Sequence, residues 1–282
     1  SAGASGMPGW AVIVRALAGY ARAVVSAVEP AEKVRLAEAA CAAWRAGRLS
    51  LHRGTGEAPM PDRPGRPARP VLLPPRDMPK RSLNSAHGRI ALLHALTHIE
   101  LNALDLAFDL LGRFVAEPMP RAFFDAFVTV GCEEAYHFQL LEARLRAAGA
   151  AYGDLPAHDG LWEAATETGH SLVARLAIIP LVLEARGLDV TPGIIDKMVE
   201  TGEAQAAAAL EIVYRDEKGH VATGMTWFRF LCERDGHDPV RLFQDLVRRH
   251  FRGGIKPPFN DRARSEAGLT PGFYKPIAGI AR

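Results

Sequence analysis

Within "CEEAYHFQLLEARL" (Cys132 to Leu145), Glu134 and His137 stand three residues apart on one helical face, among the apolar neighbours Val130, Phe138 and Leu141. A carboxylate and an imidazole on the side of a helix that should be buried are costly to desolvate unless a partner compensates them. That demand constrains the chain more than any other feature, because the fold has to bring the compensation to that face.

One Glu-x-x-His pair carries no weight, since about 0.6 such pairs arise by chance in a chain of this composition. Three occur: Glu134/His137, Glu167/His170 and Glu217/His220. Helical geometry separates them. Strand signals are almost absent, and Ala, Leu, Glu and Arg recur at helical spacing, which predicts an all-α chain. Helix A is expected over about 86–116 and helix B from Pro120 to about Gly149. Helix C begins near Leu161, with a break expected at "GLDVTP" (Gly187 to Pro192), and helix D covers about 203–235. Between helices A and B the chain reverses at Pro118–Pro120, so Glu100 lies roughly 25 Å before the turn and Glu134 roughly 21 Å after it. In the second half, with a reversal at Thr201–Gly202, Glu184 lies roughly 27 Å before the turn and Glu217 roughly 22 Å after it. Glu167 would be roughly 50 Å from that reversal and cannot join the group.

What survives is Glu100, Glu134-x-x-His137, Glu184 and Glu217-x-x-His220, with 34 and 33 residues between the successive glutamates of each half. One Glu from each of two helices and one Glu-x-x-His from each of the others is the ligand pattern of ferritin-like di-iron and di-manganese bundles. Four carboxylates and two imidazoles in a dry bundle repel one another unless cations offset them. The expected cofactors are therefore two metal ions, with Fe first and Mn or a mixed Mn/Fe pair as alternatives, because oxygen-rich, histidine-poor ligation suits these over Cu or structural Zn.

The ligand set, "DEKGHVATG" (Asp216 to Gly224) and "KPPFND" (Lys256 to Asp261) together resemble a bacterial ferritin-like family of unknown function, itself distantly similar to a tRNA-modifying di-iron hydroxylase. The resemblance implies that the acid before each Glu-x-x-His orients the histidine opposite: Asp216 would accept the free ring N–H of His137, and Glu133 that of His220. This fixes each tautomer and raises the basicity of the ligating nitrogen.

Around this centre the expected organisation is N-terminal helices over 1–52, broken near Glu29-Pro30, then a proline/arginine-rich arm over 53–84, a ferritin-like four-helix bundle over 85–237, and a short helix with an extended tail over 238–282 packing on the bundle. The arm has eight prolines and seven Lys/Arg between residues 53 and 81, too proline-rich for a helix. Small or apolar residues beside the ligands (Thr97, Val130, Gly131, Ala177 and Leu181, with Phe127 the larger exception) mark a candidate pocket between helices B and C, and Pro180 is placed to bend helix C there. His94 and His98 read as hydrogen-bonded or surface histidines, and Tyr136 and Tyr214 as packing residues. The basic residues Arg248, Arg249, Arg252, Lys256, Arg262 and Arg264 read as a solvated surface.

Net charge is +2, which argues neither for nor against an acidic partner. No apolar run spans a bilayer, "WAVIV" is cut by Arg15 so a signal peptide is not expected, and Cys41, Cys132 and Cys232 lie far apart with no CxxC pair. These features fit a cytoplasmic protein without a disulfide framework. The favoured function is O2 activation for oxidation or hydroxylation of a small-molecule or tRNA-like substrate by a monomer or homodimer that draws on an external electron donor. A ferroxidase or iron-storage protein on the same scaffold is the alternative, disfavoured because storage cages assemble from compact subunits without long arms. A non-enzymatic binding module with structural metals is the third class.

Overall fold

In the computed structural model, which describes residues 16–52 and 58–279, the break at Glu29-Pro30 separates α1 (Leu17–Ser26) from α2 (Pro30–Arg45). Pro30 opens α2, where its missing N–H would have had no helical partner in any case. The part of the first helix expected before residue 16 lies outside the described residues, as do arm residues 53–57. From residue 58 to residue 81 the arm forms no α-helix, only a 3-10 turn at Pro75–Asp77.

The long periodic segments become α3 (Ala86–Arg113) and α4 (Arg121–Ala147), divided by "EPMP". The third limb is more broken at its start than expected and less broken at its end. It runs as α5 (Gly160–Glu167), α6 (Leu172–Ile178), a wider π-helical turn (Ile179–Glu184) and α7 (Ala185–Glu200). The expected break at Gly187–Pro192 is absent, and Pro192 lies inside α7. The irregularity falls instead on the π turn, which contains Pro180; a proline cannot donate to the carbonyl four residues back, and the wider turn accommodates that. Next come α8 (Ala204–Asp235), α9 (Pro239–His250), α10 (Asp261–Glu266) and α11 (Pro271–Tyr274). Gly202 turns the chain between α7 and α8 at φ 82°, a left-handed conformation that favours glycine. The architecture is all-α: no strand occurs among the described residues, and no described helix is long and apolar enough to cross a membrane.

The chain divides into two compact units. The first takes the residues up to Pro67 and Asp105–Cys132. Within it the fully buried Lys33 ammonium donates to the Val24 and Val25 carbonyls near the end of α1 (3.0 and 2.9 Å) and to Asp105 Oδ1 (2.9 Å). Arg66 binds the other oxygen of Asp105, so this arginine of the arm turns inward. Cys41 of α2 and Cys132 of α4 are joined by a disulfide, with Cα atoms 6.2 Å apart. This corrects the cysteine reading: a separation of 91 residues says nothing about distance once two helices pack.

The second unit holds Ala68–Leu104 and everything from Glu133 onward. One apolar cluster in it includes Leu93, Leu141, Leu145, Met198 and Leu210. Pro180 packs against Gly224 of α8, where a Cβ would come within 2.5 Å of the proline ring. Arg264, read from sequence as solvated, is buried and bound through two nitrogens to Asp189 (2.8 and 2.6 Å).

Candidate metal centre

Every charged residue of the predicted ligand set belongs to the second unit. Glu100 comes from α3, Glu133, Glu134 and His137 from α4, Asp216, Glu217 and His220 from α8, and Glu184 from the end of the π turn. Glu100, Glu134, His137 and Glu217 each offer a ligand atom within 4.8 Å of the others, a buried group that can hold a metal ion.

Both imidazoles point the same way relative to this group. His137 Nδ1 lies 3.2 Å from Glu134 Oε2 and 3.4 Å from Glu100 Oε2, and His220 Nδ1 lies 3.0 Å from Glu134 Oε1 and 3.6 Å from Glu217 Oε1. The opposite nitrogens face outer acids. His137 Nε2 donates to Asp216 Oδ2 (3.0 Å) and His220 Nε2 to Glu133 Oε2 (2.7 Å). With Nε2 donating, Nδ1 is left with its lone pair directed at the carboxylates when the ring is neutral. Arg215 holds the second oxygen of Asp216 (3.0 Å).

The electrostatics are those of too much negative charge in too little solvent. Burial and the neighbouring Glu134 charge raise the Glu100 carboxyl to about 8, and burial and Glu134 also push Glu217 up. Burial followed by the charges of Glu217 and Glu134 drives Glu184, which is half-buried, well above its ordinary range. Burial would raise Glu134 too, but His220 and His137 outweigh it and hold that carboxylate below the usual range. Burial alone would lower His137, yet Glu100 and Glu134 lift it to about 11, and Glu134 with Glu217 lifts His220 likewise. Even so, Glu100 Oε2, Glu134 Oε1, Glu217 Oε2 and His220 Nδ1 are buried without a hydrogen-bond partner, the close Glu134–His220 approach lacking hydrogen-bond alignment. Buried polar atoms are rarely left so, and four in one cluster fit a donor set shaped for cations.

The other predicted residues fall as follows. Thr97 is buried and donates its hydroxyl to the Leu93 carbonyl (2.7 Å), while Ala177 and Leu181 are buried in α6 and the π turn. Phe127, Val130 and Gly131 belong to the first unit, and the space that Gly131 leaves is taken by the Phe108 ring, 2.8 Å from where a Cβ would stand. A cavity of about 380 Å³ lies at the turn between α7 and α8, lined by Leu93, Arg144, Ala148, Glu203 and Gln205 among others; no predicted pocket residue lines it. His94 accepts from the Gly153 N–H (3.0 Å), and His98 Nδ1 pairs with the Tyr152 hydroxyl (2.9 Å). Tyr136 is exposed, and the Tyr214 hydroxyl accepts from Asn260. His170 is exposed, its ring 5.5 Å from that of His250. The sequence reading missed Tyr152, a half-buried loop residue whose contact with α3 has no local signature, and Asn260, whose contacts are all long-range or capping.

Residues 26–275 match the family described as "Protein of unknown function (DUF455)". A Haemophilus influenzae protein described as an uncharacterized protein is 39% identical over 209 residues, covering 72% of this chain and 73% of that one. No solved structure matches the chain.

Proposed function

The chain belongs to the DUF455 family, and from its own side chains we propose that it is a non-haem di-metal carboxylate protein of ferritin-like architecture that oxidises or hydroxylates an organic substrate with O2. The observation that carries this reading is the set of four orphaned, buried ligand atoms, three carboxylate oxygens and His220 Nδ1, in a cluster whose two imidazoles are each already oriented from behind by an acid. A core of that kind is stable only with cations in it or with protons on the carboxylates.

Glu100, Glu134 and His137 would serve one ion, and Glu184, Glu217 and His220 the other, with Glu134 placed between the two imidazoles to serve both. The oxygen-rich set suits two iron ions, or Mn or a mixed Mn/Fe pair. When bound, such ions supply the one-electron chemistry with O2 that no side chain in the cluster provides. The residues themselves do three things. Asp216 and Glu133 fix the histidine tautomers, Glu134 neutralises both imidazoles while the site carries protons, and the raised carboxyls would give up their protons in exchange for a cation. The substrate would be a small molecule or a tRNA-like one, and the electrons would come from an external donor.

The test is elemental analysis of protein purified without added metal, followed by O2 uptake on exposing the reduced protein to air. Two iron or manganese ions per chain with O2 consumption are expected. Absence of both metals after anaerobic reconstitution overturns the reading. A large multimer that mineralises iron would move it to the ferroxidase alternative.

A further inference from the structure

The "KPPFND" segment makes contacts that the metal ligands alone do not explain. Pro192, inside α7, has no N–H to give to the Leu188 carbonyl four residues before it. Asn260 Nδ2 donates to that carbonyl (3.0 Å) and also to the Tyr214 hydroxyl on α8 (3.0 Å). Around this amide the tail is fastened to α7 several more times. The Asn260 backbone N–H donates to Asp189 Oδ1 (2.8 Å), Arg264 grips both oxygens of Asp189, and Arg186 donates to the Lys256 and Pro258 carbonyls (2.9 and 3.0 Å). The Arg264 guanidinium lies over the rings of Phe259 and Tyr274 (5.0 and 4.5 Å), and the Asp189–Arg264 pair is almost wholly removed from solvent.

The level of these contacts is what matters. Leu188 is one turn beyond Glu184 on the α7 limb, and Tyr214 is just under one turn before Glu217 on α8, so each shares a helical stripe with the glutamate beside it. One amide therefore ties the two helices together roughly 6 Å and 4.5 Å along their axes from the two carboxylates. Glu184 is also the glutamate that stands outside the four-residue group meeting within 4.8 Å. Its reach into that group depends on where the α7 limb is held against α8.

We propose that Asn260, with Asp189 and Arg264 behind it, is a positioning brace that sets the separation of Glu184 from Glu217 and so completes the second metal position. This rests on the di-metal reading above. Asn260 restores the helical carbonyl that Pro192 leaves open, which lets α7 run unbroken past the site, and its second hydrogen bond fixes that helix to α8.

Asn260→Asp tests it: the acid keeps the oxygen that accepts the Ala263 N–H at the start of α10, loses the donor and sets a negative charge against the Leu188 carbonyl, so Tyr214→Phe, which adds no charge, is measured beside it. Anaerobic titration with Fe(II), and separately with Mn(II), gives ions bound per chain and the affinity of each step. The wild type is expected to take up two ions. Asn260→Asp is expected to bind the first unchanged and the second on the order of 10-fold more weakly, the scale of outer-residue effects on metal sites, with helical content unaltered. If Asn260→Asp does not fold, Tyr214→Phe, which removes only the α8 end of the link, is expected to weaken the same step. A variant that binds both ions with wild-type affinities and merely melts earlier shows that the tail is ordinary packing, and overturns the brace while leaving the metal reading intact. A wild type that binds no ion overturns both.

Discussion

Asp105 and Glu134 are both fully buried carboxylates on long helices, and the chain treats them in opposite ways. Asp105, in the first unit, meets an ammonium and a guanidinium, and the spare donors of Lys33 are taken by the Val24 and Val25 carbonyls. Its charge is balanced from within. Glu134, in the second unit, meets two imidazoles already committed to Asp216 and Glu133, and it shares its surroundings with Glu100 and Glu217. The ion-pair partners of Glu100, Glu134 and Glu217 among the described residues are His137 and His220, with no lysine or arginine among them. A chain able to build the first arrangement and retaining the second has a use for the surplus charge, and a divalent cation is the use that chemistry most readily supplies.

If that contrast is sound, substitution should act on different observables in the two clusters. The largest effect is expected from Glu134→Gln, which removes the carboxylate lying between both imidazoles: reconstituted protein should retain fewer than two ions per chain by elemental analysis, with helicity intact. Full loading would break the contrast. Lys33→Met is expected to lower unfolding free energy by about 3–5 kcal/mol, the usual result of removing one partner of a buried ion pair, as read from denaturant midpoints. Its metal content should stay that of the wild type.

The clusters also differ in how visible they are in sequence. Helices α3, α4 and α8 follow from apolar periodicity with turn residues at Pro118–Pro120 and Gly202, and matched heights then bring Glu100 to Glu134 and Glu217 to the same group. Nothing local marks Lys33 or Arg66 as internal. Each reads as a solvated charge, because the carboxylate that holds it is 72 or 39 residues away. The same limit hid the disulfide and the continuity of α7. Gly187 and Pro192 are ordinary breaker signals, and the donor that offsets the proline sits 72 residues after Leu188. Gly131 looked like a source of open volume, and only packing reveals that the Phe108 ring occupies the space. Regular local pattern survives in one dimension; compensation between distant residues does not.

A subtler difference concerns protons. In metal-free protein Glu100 has its folded pKa raised from 4.5 to about 8. The folded state then holds a proton that the unfolded state has released, so this contribution is present at low pH and is lost as pH rises through about 8. Its size is on the order of 2–3 kcal/mol once sharing with neighbouring carboxyls is allowed for. Glu100→Gln, which mimics the protonated form, should flatten the stability profile of chelated protein between roughly pH 5 and 8. An unchanged slope would mean that the cluster's charge is offset in some other way.

The smallest expected effect, and the most diagnostic, comes from Asp216→Asn. Asp216 lies outside the donor group and accepts from His137 Nε2, while Arg215 occupies its other oxygen. The amide keeps the shape, so the fold should survive. It removes the charge that favours an Nε2–H imidazole, and its NH2 can turn toward the ring and favour the other tautomer, which puts the proton on Nδ1 where a cation would have to bind. Metal affinity is therefore expected to fall by about 10–100-fold, roughly 1.4–2.7 kcal/mol, in a titration followed to saturation. Asp109→Asn is the matched control from the first unit, where Asp109 accepts from Arg113; it should cost stability and leave metal affinity alone. Equal affinities for Asp216→Asn and wild type would reduce the His137–Asp216 contact to a structural hydrogen bond, and would leave the two buried clusters differing in charge but not in purpose.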